Sequence, residues 1–486
     1  MNLAALIARH AESQPARPAV QGGGERYACA ALDLDVRRLA RRLRSAGIGV
    51  GDLVALRLRD TPAHLVALLA IARIGAIALP MDWRGAPPEI GRIVERFRPK
   101  LGLTDDAKPV PGGMATTGVG DLAATEPDEE RPASLVDSPL VYGLTSGTTG
   151  VPKGIVTTHE EMFGRFVAFT IGRLIDREDR FLVPLPLVFD AGRAISLALL
   201  TLGAEVRLFP PLFDVAELVG AVNESGVTAV IVTPKTSRAL LALPPGKAHL
   251  MPGLRLYVST AGKLQPEERG ALRARVAPRV TDYYGTTGGG PVALITGEEE
   301  DTSPTAAGRL AAGIEVEIVD EDGTVLPTGS AGRVRMRGPG VTRSFAGLAA
   351  APGDETIRDG WYYPGDIGRF AEDGILHLTG RAAEMIKRGG LMIHAQEVEY
   401  VLSLHEAVVE AAVVGIPDDS QDEMVVAFIV ARGPVNEAQI IRHCRQNLAG
   451  YKVPQRILAV SSLPRNTTGK IVKAALRDIY RVEPGS

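Results

Sequence analysis

Six consecutive small residues, Thr145-Ser146-Gly147-Thr148-Thr149-Gly150, run into Val151-Pro152-Lys153-Gly154 and follow the apolar stretch Pro139-Leu140-Val141-Tyr142-Gly143-Leu144. Such a run cannot pack a core. Without bulky Cβ substituents it can turn several backbone N–H groups onto one anion and add hydroxyl donors, which describes a phosphate cradle. Lys153 at its end reaches a phosphate as a point charge. The stretch is not a Walker A loop, which needs Gly directly before the Lys, whereas Pro152 stands there. A different ATP chemistry is implied.

Four further stretches carry chemistry-bearing residues in chain order: Tyr283-Tyr284-Gly285-Thr286-Thr287-Gly288, Trp361-Tyr362-Tyr363-Pro364-Gly365-Asp366, Gly380-Arg381 with Lys387-Arg388-Gly389-Gly390 beyond it, and Pro464-Arg465-Asn466-Thr467-Thr468-Gly469-Lys470. Taken singly, each reads as a turn or a solvated loop. Together with the phosphate cradle, their order and spacing resemble the signatures of the adenylate-forming superfamily: acyl-CoA synthetases, firefly-type luciferases and the adenylation domains of nonribosomal peptide synthetases. Met385-Ile386-Lys387-Arg388-Gly389-Gly390 looks most like an acyl-CoA synthetase.

The resemblance implies a division of labour. Thr145, Ser146, Gly147, Thr148, Thr149, Gly150 and Lys153 would hold the ATP phosphates, and Tyr284, with Gly285 and Thr286, would lie against adenine. Thr287 would meet the α-phosphate, Asp366 the ribose hydroxyls, and Arg381 the ribose or a phosphate. Lys470 would be delivered by a mobile small domain to stabilise the negative charge that builds when a carboxylate attacks the α-phosphorus. Lys387, Arg388, Gly389 and Gly390 would swing in for thioester formation beside a pantetheine chain. The reaction implied is acid plus ATP to acyl-adenylate and pyrophosphate, with Mg²⁺, then thioester formation with CoA. No protein nucleophile is needed, and no nucleophile elbow is present.

Three departures bear on this. Gly288 stands where the family usually has a Glu associated with Mg²⁺, so no metal ligand is assigned; Mg²⁺ leans readily on phosphates and water. Pro364 replaces the family Thr, and Ala383 falls at the hinge position where Lys, Asp or Gln is common.

The acid itself is less legible. Phe189-Asp190 is similar to the peptide-synthetase motif whose Asp receives the α-ammonium of an amino acid. Arg193, three residues on, could pair with Asp190 on one helical turn or anchor a second carboxylate. Gly262 completes the candidate substrate residues. The alternatives are therefore a small carboxylic acid passed to CoA, or an amino acid passed to a phosphopantetheine carrier protein. A catalytically weakened adenylate binder, supported by Gly288, and a luciferase-like oxygenation also use these motifs.

The 486 residues, 45% of them hydrophobic, exceed what one core normally serves. A net charge of −3 gives no footprint for nucleic acid. Two cysteines build no disulfide framework, which fits the cytoplasm. No basic region precedes the first apolar residues, so no signal peptide is expected, and the apolar run Leu65 to Pro80 is too short for a membrane span. The scattered His offer no zinc spacing.

To position these motifs, alternating strands and helices are expected through residue 260, including helices at 32–46, 63–74, 160–171 and 194–201. Residues 109–137 read as an exposed loop. An antiparallel meander at 314–319, 324–326 and 333–337 follows, then a hairpin at Asp373-Gly374. The fold class expected is α/β: a large N-terminal domain of βα sheets with a small antiparallel β subdomain (1–380), and a mobile α+β C-terminal domain (381–486).

Overall fold

The computed structural model describes residues 2–105, 108–133, 137–145, 153–246, 248–297, 303–346, 356–388, 391–418, 422–465 and 471–482, with backbone alone for 145, 392, 422 and 481–482. Ser146, Gly147, Thr148, Thr149, Gly150, Gly389, Gly390 and Lys470 lie outside the described residues, as does the acidic stretch 298–301.

The largest sheet has 15 strands among the described residues. One end is parallel, in the order Val280–Thr286, Leu256–Ser259, Ala229–Val232, Arg180–Val183, Glu205–Leu208, Pro18–Gly22. Ala229–Val232 and Leu256–Ser259 are buried at every residue, as parallel strands covered on both faces must be. The other end is antiparallel, from Gly290–Ile295 through Leu376–Arg381 and Asp366–Phe370 to Gly332–Arg337 and Trp361–Tyr363.

A second sheet orders Ser344–Ala346, Lys153–Thr158, Pro139–Thr145, Ile77–Pro80, Leu53–Arg57, Leu101–Thr104 and Thr116–Gly118. One hydrophobic core joins both sheets through the helices Cys29–Ser45, Pro62–Ile74, His159–Ile171 and Asp190–Leu202, burying Leu39, Leu65, Phe169, Phe181 and Ile195. A third sheet, with a separate core, is built from Met385–Arg388, Leu391–His394, Val408–Asp418, Asp422–Ala431 and Arg456–Ala459. The chain is thus α/β, with a large sheet-rich N-terminal part and a smaller C-terminal one.

Several expectations need correction. The helix expected at 194–201 begins at Asp190, whose carboxylate in the first turn suits the positive end of the helix dipole. Residues 109–137 are not all exposed: Val110 and Val119 are buried, and Asp128 meets Arg44 at 3.3 Å and Arg73 at 3.6 Å. Residues 324–326 make one bridge, Val319 to Val325, rather than a strand. Helices Pro87–Phe97 and Pro266–Arg275 were not expected; both carry Pro in their first turn, where no N–H is needed.

Candidate active site

Strands Pro139–Thr145 and Lys153–Thr158 form an antiparallel hairpin whose register sets Thr145 opposite Lys153 and Leu144 opposite Gly154. The connection between them is the expected phosphate cradle, so Lys153 stands at its foot. Two residues before Thr145, Gly143 marks a close approach of other segments. A Cβ there would lie 3.2 Å from Thr287 Cγ2 and 3.6 Å from Arg193 Nη2. Three separate stretches therefore meet at Gly143: the phosphate hairpin, the turn carrying Thr287 and the first turn of the helix carrying Arg193.

The Thr287 turn joins strands Val280–Thr286 and Gly290–Ile295. Inside it, Thr286 Oγ1 accepts the Gly289 N–H at 2.8 Å. Gly290 sits at φ 65°, a conformation that favours glycine. Tyr284 ends on Asp366: its hydroxyl donates to Oδ2 at 2.5 Å. Burial, reinforced by that carboxylate, holds the Tyr284 phenol well above its ordinary value, so it stays a donor.

Asp366 lies directly across the strand pair from Arg381, whose Nε donates to Oδ1 at 2.9 Å. Arg381 Nη2 also donates to the Pro364 carbonyl at 2.8 Å. Tyr284, Asp366 and Arg381 form one connected group.

Asp190 and Arg193 are joined, but not alone. Arg193 Nη2 donates to Asp190 Oδ1 at 3.3 Å, and its Nη1 to the carbonyls of Leu187 and Val188 at 3.2 and 2.7 Å. Arg165 supplies the stronger contact, with Nη1 donating to both Asp190 oxygens at 3.0 and 2.9 Å. Both arginines are almost wholly buried, and burial lowers the Arg193 pKa against the pull of Asp190. The carboxylate expected to seek a substrate ammonium has two guanidinium partners from its own chain.

Arg165 escaped sequence reading, although a signal existed. It shares the buried face of helix His159–Ile171 with Met162, Phe166 and Phe169, and a charge on such a face needs a partner. The helix starts with a capping box in which Thr158 Oγ1 accepts the Glu161 N–H at 3.1 Å and Glu161 accepts the Thr158 N–H at 2.9 Å.

Other candidates stand apart from this group. Gly262 is exposed and follows Ala261 at φ 65°, packing near Pro234. Lys387 and Arg388 are bound into the third sheet: the Lys387 N–H donates to Glu423 at 2.7 Å, and Arg388 Nη1 to the Tyr451 carbonyl at 2.8 Å. In the same unit Lys473 meets Glu384 at 2.8 Å and Glu399 at 2.7 Å. Although burial lowers its pKa, these two carboxylates hold the Lys473 ammonium above its ordinary value.

For Mg²⁺ the donor set is thin. Among the described residues no three acid, His or Cys side chains gather to hold a metal. A side chain at 288 meets an obstacle, because a Cβ there would stand 2.5 Å from Tyr362 Cζ and 2.8 Å from Thr342 Cγ2. The site fits Mg²⁺ carried by nucleotide phosphates and water rather than by a carboxylate at 288.

Residues 7–346 match the AMP-binding enzyme model, and residues 397–470 match the AMP-binding enzyme C-terminal domain. The chain belongs to the AMP-binding enzyme family. Within the family it is similar to feruloyl-CoA synthase of an Amycolatopsis species, 30% identical over 96% of this chain and 97% of that one. It is also similar to long-chain-fatty-acid–CoA ligase FadD13 of Mycobacterium tuberculosis, 28% identical over 94% and 93%. A family member of known structure, O-succinylbenzoate coenzyme A synthetase (MenE) from Bacillus subtilis in complex with ATP and magnesium ion, superposes with a TM-score of 0.88 at 25% identity over 97% of this chain and 99% of that one.

Proposed function

We propose that this chain is an ATP-dependent carboxylic acid–CoA ligase, forming an acyl-adenylate and then a thioester. Family membership and relatives named as acyl-CoA ligases support it. The observation that carries it to particular residues is the meeting at Gly143. There Thr287 and the Arg193 guanidinium both approach the phosphate hairpin at one residue, which would bring a carboxylate and an α-phosphorus close together.

In the first half-reaction the substrate carboxylate oxygen attacks the α-phosphorus, and the bond to pyrophosphate breaks with its electron pair. Thr287 holds the α-phosphate, while Thr145, Ser146, Gly147, Thr148, Thr149, Gly150 and Lys153 hold the remaining phosphates. Tyr284, beside Gly285 and Thr286, faces the adenine, and Asp366 with Arg381 receives the ribose hydroxyls. Bound Mg²⁺ supplies charge neutralisation on the phosphates. Lys470 stabilises the charge building on the phosphate oxygens. In the second half-reaction the CoA thiolate attacks the acyl carbonyl and AMP leaves, with Lys387, Arg388, Gly389 and Gly390 beside the pantetheine. A unit of about 381–486 turning against 1–380 lets one cleft serve both steps.

The acid proposed is a plain carboxylic acid rather than an amino acid, because Asp190 is already engaged by Arg165 and Arg193. Among the described residues no helix is long and apolar enough to cross a membrane, and a cytoplasmic setting suits the use of ATP and CoA.

The test is pyrophosphate release with ATP and Mg²⁺ across aliphatic, aromatic, dicarboxylic and amino acids, each with CoA, with a phosphopantetheine carrier protein, or with neither thiol. Release with plain acids and thioester only on CoA is expected. Thioester on the carrier alone would reassign the acceptor, and silence throughout would favour an adenylate binder.

A further inference from the structure

The Arg165 guanidinium touches three segments distant in sequence. From helix His159–Ile171, its Nε donates to the Gly340 carbonyl at 2.9 Å and its Nη1 to both Asp190 oxygens. Its Nη2 donates to the carbonyls of Thr287 at 3.0 Å and Gly288 at 3.2 Å. Every face of the fork is in use, and the side chain is wholly buried.

The surroundings are shaped to admit it. A Cβ at Gly290 would come within 2.7 Å of Arg165 Cγ, and one at Gly340 within 3.0 Å. One residue earlier, a Cβ at Gly164 would strike the Pro339 and Gly340 backbone at 2.5 and 2.7 Å. The Gly288 carbonyl also accepts the Thr342 N–H at 2.7 Å, so the turn is gripped from two sides.

We infer that Arg165 is a positioning residue: it sets the turn that presents Thr287 to the α-phosphate, and through Asp190 it ties that turn to the first turn of the helix carrying Arg193. The inference rests on the reading of Thr287 given above. A planar fork with five donors can hold two neighbouring carbonyls and a carboxylate at once; a lysine ammonium in the same place cannot. Misplacement of a binding group by about 1 Å is enough to cost roughly 100-fold in rate.

The experiment is a cycle of Arg165→Lys, Thr287→Val and the double variant, read in two ways. In pyrophosphate release, Arg165→Lys should lower kcat by about 100-fold with the KM for ATP within about twofold. If Arg165 acts through Thr287, the double variant should be no worse than the poorer single within about threefold. A side chain that merely stabilises the fold would instead multiply the two losses, and that outcome overturns the inference.

The second readout needs no turnover: the ³¹P resonances of ATP bound to each protein. The α-phosphorus signal should move alike in both single variants, leaving β and γ in place. An Arg165→Lys protein with an unchanged α signal overturns the inference even if every acid proves inert, so failure here is separable from failure of the ligase reading. Should Arg165→Lys not fold, Gly340→Ala, whose Cβ would stand 3.0 Å from Arg165 Cγ and nudge the fork without removing it, takes its place. That variant should move the α signal in the same direction as Thr287→Val, leaving β and γ in place, and an unmoved α signal overturns the inference.

Discussion

The Tyr362 ring occupies the space that a side chain on residue 288 would need: a Cβ on Gly288 would stand 2.5 Å from its Cζ. Tyr362 is itself buried against Phe345, with ring centroids 6.5 Å apart, so it has little room to yield. Gly288→Glu, which restores the family's usual carboxylate, should therefore destabilise the protein by about 1–3 kcal/mol through overpacking and fail to tighten Mg²⁺ use. Gly288→Glu with Tyr362→Ala should lose less stability than the two single variants summed, because the space left by the ring receives part of the new side chain. Urea unfolding and Mg²⁺ titrations of pyrophosphate release check both, and a stable single variant with a lower Mg²⁺ requirement would show the ring moves aside.

Asp190→Asn leaves two buried guanidinium groups, Arg165 and Arg193, without their shared anion. Breaking a buried pair in this way costs about 3–5 kcal/mol. The variant should unfold at markedly lower urea and should not change the ratio of amino acids to plain acids among substrates. A shift in that ratio would restore Asp190 as a substrate contact.

Lys470→Ala should lower adenylation by about 100-fold or more while leaving thioester formation from supplied acyl-adenylate near wild type. Each half-reaction is measured separately, one by pyrophosphate release and one by CoA consumption. The reverse pattern would move Lys470 to the thioester step.

Acid stability follows from two buried histidines. Burial pushes His64 and His159 down to about 4. In the unfolded chain both titrate near 6.5. Between those values the unfolded chain binds protons that the folded chain does not, so stability falls as pH drops from about 6.5 to 4 and levels off below. Each site contributes up to about 3 kcal/mol to that fall. Urea unfolding of wild type and His64→Gln at pH 7, 6 and 5 should show the gap between them closing or reversing with acid; a constant gap would contradict the assignment.

How much of this was legible in the sequence depended on range. The motifs at 145–154, 283–288 and 361–366 are local patterns that stand out within ten positions, whereas the strands Lys153–Thr158 and Asp366–Phe370 that pair beside them were not read. The pairing of Arg193 with Asp190 sits on one helical turn and was among the readings the sequence left open. Arg165 was missed because its partners lie elsewhere in the chain, with the Gly340 carbonyl 175 positions away and that of Thr287 122 away. Gly288 was visible as a departure, but a missing side chain carries no mark of what fills the space. Tyr362 could be identified as that filler only once its strand had a register. The helix start at Asp190 was placed four residues late because apolar periodicity begins at Ala194, whereas the first turn is set by charge and by its pairing with Arg165 and Arg193.

The ion pairs of Lys473 with Glu384 and Glu399 give the C-terminal unit a leash of fixed length. Lys470 is three residues from that anchor, a reach of at most about 11 Å of extended chain. Glu384 follows the Gly380-Arg381-Ala382-Ala383 segment on which the unit would turn, so the anchor sits at the pivot. In the reaction proposed above, Lys470 would be the catalytic ammonium, and a tether this short would tie its arrival and departure to the swing of the whole unit rather than to loop motion alone. A cut in the tether would then uncouple the timing of the two half-reactions without touching the chemistry of either.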